Sequence, residues 1–339
     1  MIDERPGLNP KRLVALMHEA IERLRLDLSG AVALTEAASG AYVVTPILAA
    51  MAGADQVFAI TRTTKYGSFE EISANTRFLA KLAGVESRLE IITQKNREVV
   101  GRADIITNSG HVRPIDAEMI SWMKPGAVVP LMYEAWEFRD ADLDLAACQK
   151  YGIRVAGTNE RHPAVDVFSF LGDMAIKLLL DMGVAPSYSR VIVLCDNGFA
   201  PFIERGLIGA GVNATIVEDL RRAPSDMIFD AVIVALTPQA GPVITGVDAA
   251  FIAERWPEAV IGQFWGDVDR SALEKAGLSS WPVSPPAPGH MGILPSDVGP
   301  EPVVRLQSGG LKVGEVLLRS ANETMGTEME FLDMLKAPY

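Results

Sequence analysis

Two cysteines, Cys148 and Cys195, are too few for a disulfide framework, and they show no Cys-x-x-Cys spacing of a metal or redox module. Histidine is scarce as well, at 4 in 339 residues. No ligand spacing joins His111 and His162 to the nearby glutamates, so no metal site is expected. The 31 basic residues are outnumbered by 43 acidic ones, and the net charge of −12 argues against a nucleic-acid surface. No apolar run reaches the roughly 18 residues of a membrane span, and MIDERPGLNPKR lacks the apolar core of a signal peptide. A cytoplasmic protein with no membrane or nucleic-acid partner is the expectation. Absent, too, is a Gly-x-Gly-x-x-Gly fingerprint.

What remains is a globular composition, 49% hydrophobic and 22% charged, in a chain long enough for two domains. Asn9 and Pro10 predict an N-cap and first turn, opening an amphipathic helix to about Leu28 that closes an N-terminal arm over residues 1–29. From Gly30, short apolar strands alternate with helices: AVALTE, QVFAIT, LEIIT, ADIIT, AVVPLMY and, as an edge strand, GIRVAG. That alternation predicts a doubly wound parallel sheet over residues 30–165. DVFSFLGDMAIKLLLDM is apolar nearly all round and reads as a buried connecting helix over residues 166–184. RVIVLCD, ATIVED, AVIVAL and AVIGQFW then form a second α/β layer over residues 185–320, closed by a helix starting near Gly314. The tail, residues 321–339, is expected to return to the first domain or meet another subunit. The fold class is therefore α/β, with two Rossmann-like or flavodoxin-like domains joined by a buried helix.

Polar residues that a core does not need collect where strands end, the edge at which open α/β sheets bind ligands. In LTEAASGAYVVTP, Ser39 and Gly40 are positioned to offer amides to a phosphate, while Glu36 repels one unless it holds a ribose or the substrate. Arg62, Thr63 and Lys65 after the second strand favour a 2′-phosphate; a solvated basic turn is the competing reading. Asn108 and Gly110 lead into His111, which is able to exchange a proton near neutral pH. Glu134, Glu137 and Arg139 read as acid, base and anion clamp, or alternatively as an internal salt-bridge network. Arg113, Asn159, His162, Asp196, Asn197 and His290 are the candidate substrate contacts. The long stretch PVSPPAPGHMGILPSDVGPEP reads as a functional loop.

Ala103-Asp-Ile-Ile-Thr107, followed by Met123-Lys-Pro-Gly-Ala127 and the strand from Val128 to Met132, resembles the cofactor domain of the D-2-hydroxyacid dehydrogenases and S-adenosylhomocysteine hydrolase. The run Arg62-Thr-Thr-Lys65 is similar to the NADP-selecting turn of shikimate dehydrogenases. The resemblance covers residues 30–157 and implies an NAD(P)-binding Rossmann domain. The expected activity is then an NAD(P)-dependent oxidoreductase working on a small polar metabolite in an interdomain cleft, as a homodimer. His111, Glu134, Glu137 and Arg139 are its catalytic candidates. Glu36, Ser39, Gly40, Arg62, Thr63, Lys65, Asn108 and Gly110 are its cofactor contacts. Two alternatives stand beside it: a non-redox lyase, hydrolase or transferase using a nucleoside-like or S-adenosylmethionine-like ligand, and a non-catalytic ligand-binding protein.

Overall fold

The computed structural model describes residues 5–319 and 327–335. The chain forms two compact units, the first running up to Val167 and resuming at Gly299, the second spanning Phe168–Val298.

The first unit is built on β1 (Val32–Glu36), β2 (Gln56–Ile60), β3 (Leu89–Ile92), β4 (Ile105–Ile106), β5 (Val128–Pro130) and β6 (Arg154–Thr158). These strands pair in parallel in the order 3-2-1-4-5-6. That is the doubly wound dinucleotide-fold order, whose direction of winding reverses between β1 and β4. The central strands are apolar on both faces because helices cover both, as parallel sheets require. The N-terminal helix Pro10–Leu24 starts where expected, with the Asn9 side chain accepting from Lys11 N at 3.0 Å. It stops four residues earlier than its apolar pattern suggests, because Arg25 turns left-handed at φ 47°.

The second unit carries β7 (Arg190–Leu194), β8 (Asn213–Val217), β9 (Ala231–Ala235), β10 (Val260–Trp265) and β11 (Ser280–Trp281), all parallel, in the order 8-7-9-10-11. Counted from its own first strand this is 2-1-3-4-5, the flavodoxin-like order. The apolar segment expected to connect the domains forms the helix Leu171–Asp181, and it belongs to this unit. Gly172 on it meets Gly206 of the helix Ala200–Gly209 so closely that a Cβ on Gly206 would lie 2.4 Å from the Gly172 Cα.

The C-terminal part departs from the expected division. The final helix runs over Glu301–Arg319 and packs in the first unit, beside the N-terminal helix and on β5 and β6. Gly309, Gly310 and Gly314 hid it from propensity reasoning, since glycine weakens an isolated helix. Here they allow close approach, for a Cβ at Gly310 would stand 2.5 Å from the Met132 sulfur. After it, β12 (Leu332–Asp333) pairs antiparallel with β6, so the described part of the tail returns to the first unit and β6 is not an edge. Lys312 and Glu315, both about 1% exposed, are ion-paired at 3.0 Å within that helix, and Arg319 joins Glu315 at 2.8 Å.

Candidate active site

The carboxyl edge of the first sheet is crossed by one buried acid. Glu36, the last residue of β1, accepts the His111 backbone N–H at 2.9 Å through Oε2, bridging β1 to the loop after β4 across the point where the winding reverses. The loop passes so near that a Cβ on Gly110 would lie 3.3 Å from the same oxygen. Beneath it, the Thr107 hydroxyl donates to Thr35 Oγ1 and lies 2.8 Å from Ser109 Oγ. Asn108 Oδ1 accepts from Met132 N at 2.7 Å and ties the same loop to the end of β5. Its Nδ2 is buried without a partner among the described residues, as is the Thr61 hydroxyl after β2.

Charge gathers around this bridge. Partial burial lowers the His111 pKa below the ordinary 6.5, Glu36 opposes that, and Arg62 reinforces it, so the imidazole is neutral at pH 7. Lys95 donates to the Val112 and Pro114 carbonyls, bracing the turn beyond His111. Burial also lowers its pKa; Asp116 opposes the shift and Arg62 adds to it.

A second polar group follows β5 and β6. Glu134, 1% exposed, accepts from Trp136 Nε1 at 2.6 Å and pairs with Arg161 Nε at 3.2 Å. Glu160, also buried, and Glu137, half-buried, stand near it: Glu134 raises Glu137, both raise Glu160, and Asp333 raises Glu134. Burial is the larger cause for all three. It pushes Glu137 up to about 7, while Arg139 and Arg113 pull the other way. Glu160 is raised well above the carboxylate range, and Glu134 is raised as well despite its bonds to Trp136 and Arg161. Arg113 is fixed on Asp142 at 2.5 Å, where the Tyr133 hydroxyl also donates at 3.4 Å. Such an edge offers an imidazole, a carboxyl group whose pKa burial has raised and an oriented guanidinium, the parts that proton transfer beside an anionic substrate requires.

Other sequence candidates have different work. Asn159 donates through Nδ2 to the Glu330 carbonyl at 2.8 Å, and His162 lies 4.0 Å from the Phe331 ring while its Nδ1 accepts from Ala164 N. Both contact the returning C-terminal segment. The Thr63 hydroxyl accepts from Phe69 N at 3.0 Å at a helix start, Lys65 stacks over Tyr66 at 4.9 Å, and the charge of Arg62 acts on His111. Ser39 and Gly40 open the turn before the helix Val44–Met51, with Gly40 at φ 62° and open space where its Cβ would be. Asp196, Asn197 and His290 belong to the second unit. There Asp196 Oδ1 accepts from Thr237 N and Oγ1 at 2.8 and 2.9 Å, and Asn197 Nδ2 donates to the Ala235 carbonyl, bridging the switch between β7 and β9. Glu160, Lys95 and Asp142 went unnoticed in the sequence. The available signal for Glu160 was positional, since it lies two residues past β6 in a polar turn.

No group of residues suited to a metal ion occurs among the described residues. No helix among them is long and apolar enough to cross a membrane. No family model matches the sequence, and no curated protein matches it. Solved structures do share the fold. Dipicolinate synthase from Bacillus subtilis aligns at TM-score 0.54 and 12% identity, covering 88% of this chain and 100% of its own. The dipicolinate synthase of Bacillus halodurans aligns at 0.53 with the same identity and coverage. NAD-dependent formate dehydrogenase from Staphylococcus aureus, solved in complex with NAD, aligns at 0.51 and 13% identity over 90% of this chain and 99% of its own. At these identities the likeness is one of fold, and the expected Rossmann resemblance holds at that level.

Proposed function

We propose that the chain is an NAD(P)-dependent oxidoreductase acting on a small polar metabolite at the carboxyl edge of the first sheet. The observation that carries the reading is the His111 loop, held by its backbone N–H on Glu36 at the switch point of a 3-2-1-4-5-6 sheet, the place where such sheets bind dinucleotides. The shared fold with a formate dehydrogenase solved with NAD supports it.

The residues present fit a dinucleotide in part. Gly40 is open to close backbone approach, and Asn108 Nδ2 and the Thr61 hydroxyl are buried donors without partners among the described residues at the same edge. Ser39 and Gly40 would hold it at the helix start, and Arg62 would favour a 2′-phosphate, making NADP the preferred form. The cofactor, when bound, supplies the hydride acceptor or donor. His111 exchanges the accompanying proton through its ring, with Glu36 and Arg62 setting its affinity. Arg113, oriented by Asp142, binds the anionic end of the substrate, and Glu137 with Glu134 and Glu160 holds protons for exchange with it. A cytoplasmic homodimer completes the reading.

Glu36 itself favours a second reading. A buried carboxylate beside the first crossover repels a diphosphate and suits a cationic group, as in S-adenosylmethionine. Thermal unfolding against NAD, NADP, their reduced forms, S-adenosylmethionine and S-adenosylhomocysteine separates the two. A ligand at about 100 times its Kd stabilises by roughly 2.7 kcal/mol, and at about 2–4 °C per kcal/mol that is a shift of roughly 5–10 °C. A shift with NADP that Arg62→Ala removes supports the oxidoreductase. A shift with adenosyl ligands alone moves the assignment to the non-redox enzyme.

A further inference from the structure

The described end of the chain lies against the second polar group of the site. Phe331 is its anchor: the ring is buried in the core of the first unit, 4.0 Å from the His162 ring, and its carbonyl accepts from Asn159 N at 2.9 Å. Beyond the anchor the hold is slight. Leu332 and Asp333 form a two-residue ladder with Thr158 and Gly157, Leu335 is half-buried, and Met334 is 59% exposed. The Asp333 carboxylate accepts from Ala135 N at 2.7 Å, which sets it beside Glu134. Gly157 permits this approach, since a Cβ there would stand 2.7 Å from Ala135 N and 3.1 Å from the Asp333 carbonyl oxygen.

Seated in this way, Asp333 keeps acid company. Its charge raises Glu134, and the carboxyls of Glu134, Glu137 and Glu160 act on one another in turn. The cations facing the group are committed elsewhere: Arg161 pairs with Glu134 at 3.2 Å, while Arg139 and Arg113 act on Glu137. Asp333 has no ion pair among the described residues. Nearer the anchor, Glu328 pairs with Lys312 at 3.2 Å and Glu330 lies 4.0 Å from His162 Nε2. Burial lowers the His162 pKa below the ordinary 6.5, so above that pH the Glu330 contact keeps one charge state. While Glu137 and Glu160 hold protons, Asp333 sits beside one charge, which Arg161 balances. Once they ionise, like charges crowd a buried space, and the element with the weakest hold opens first.

We propose that Leu332–Leu335 is a flap, hinged at Phe331, that closes over Glu134 while the neighbouring carboxyls are protonated and lifts as they ionise, baring the Ala135 amide and the acids of the site. As control of proton exchange at that site, the flap rests on the oxidoreductase reading; its movement does not. The test needs no ligand, so its failure and an empty ligand panel are separate results. NOESY spectra of the isotopically labelled whole chain are recorded from pH 6 to pH 9. Each pH unit by which closure holds a carboxyl up is worth about a 10-fold shift toward the open flap once it ionises. Cross-strand NOEs from Leu332 and Asp333 to Gly157 and Thr158 should therefore be strong at pH 6 and lost by pH 9. Those between Ala33 and Val57, in register on β1 and β2, should persist throughout. Asp333→Asn keeps an acceptor for Ala135 N without the charge, and Glu137→Gln removes one ionising neighbour; each should carry the flap NOEs to higher pH. Glu330→Gln should leave the transition where it is. The proposal is overturned if the parent keeps the flap NOEs at pH 9, or if the Ala33–Val57 NOEs vanish with them. It fails equally if both charge-removing variants lose them at the parent's pH, or if Glu330→Gln abolishes the transition.

Discussion

Raising the pH from 4.5 to 8 should destabilise the first unit through Glu137, and replacing that residue with glutamine should remove the effect. The carboxyl titrates at 4.5 when unfolded and is pushed up to about 7 in the fold by burial and by Glu134. Between those values the folded chain binds a proton that the unfolded chain has lost, so stability is complete below 4.5 and drains away as pH rises through 7. At about 1.4 kcal/mol per pH unit, the interval corresponds to roughly 3 kcal/mol. For a unit of this size that is roughly 6–12 °C in Tm. Scanning calorimetry of the parent and Glu137→Gln at half-unit steps is the assay. The two Tm curves should coincide in slope below pH 4.5 and diverge above it, with the variant ahead at pH 8. The exposed Glu98→Gln serves as control and should track the parent. Parallel curves for parent and Glu137→Gln across the whole range would refute the burial argument.

Three further outcomes follow from named contacts. In an NMR titration of His111, Glu36→Gln should lower the midpoint and Arg62→Ala should raise it, because the carboxylate favours imidazolium and the guanidinium opposes it; shifts of the same sign would show that neither charge acts on the ring. Gly206→Ala drives a Cβ to 2.4 Å from the Gly172 Cα and should cost about 1–3 kcal/mol or more, whereas Gly209→Ala on the same helix meets open space and should be neutral or stabilising in urea melts. Lys312→Met removes one buried partner of Glu315 and should cost roughly 3 kcal/mol, less to the extent that Arg319, already 2.8 Å from the carboxylate, holds it alone; a stability equal to the parent's would mean that the Lys312 pair contributes nothing net.

The alternation of β1 to β6 with their helices was legible because the central strands are buried on both faces and so read as short apolar runs. The strand-end positions of Glu36, His111 and Glu134 followed from the same pattern, since a parallel sheet delivers its polar residues at one edge. What the pattern hides is long-range. The helix Glu301–Arg319 uses glycines for contact with Met132, Val165 and Ile105, and a single sequence offers only their weak propensity. The pairing of β12 with β6, and with it the employment of Asn159 and His162, depends on a segment some 170 residues away in the chain, 171 in the case of Asn159 and Glu330. Glu160 lay in view in a polar turn, but nothing local says that its carboxyl is buried beside two others.

Because the chain leaves the first unit at Val167 and resumes it at Gly299, the second unit is threaded into the first as a closed excursion. Tension applied between the helix Pro10–Leu24 and β12 is borne by the first unit alone until that unit gives way. Single-molecule pulling along this axis should therefore show a fixed sequence of rupture, with the inserted unit mechanically sheltered until its host has opened.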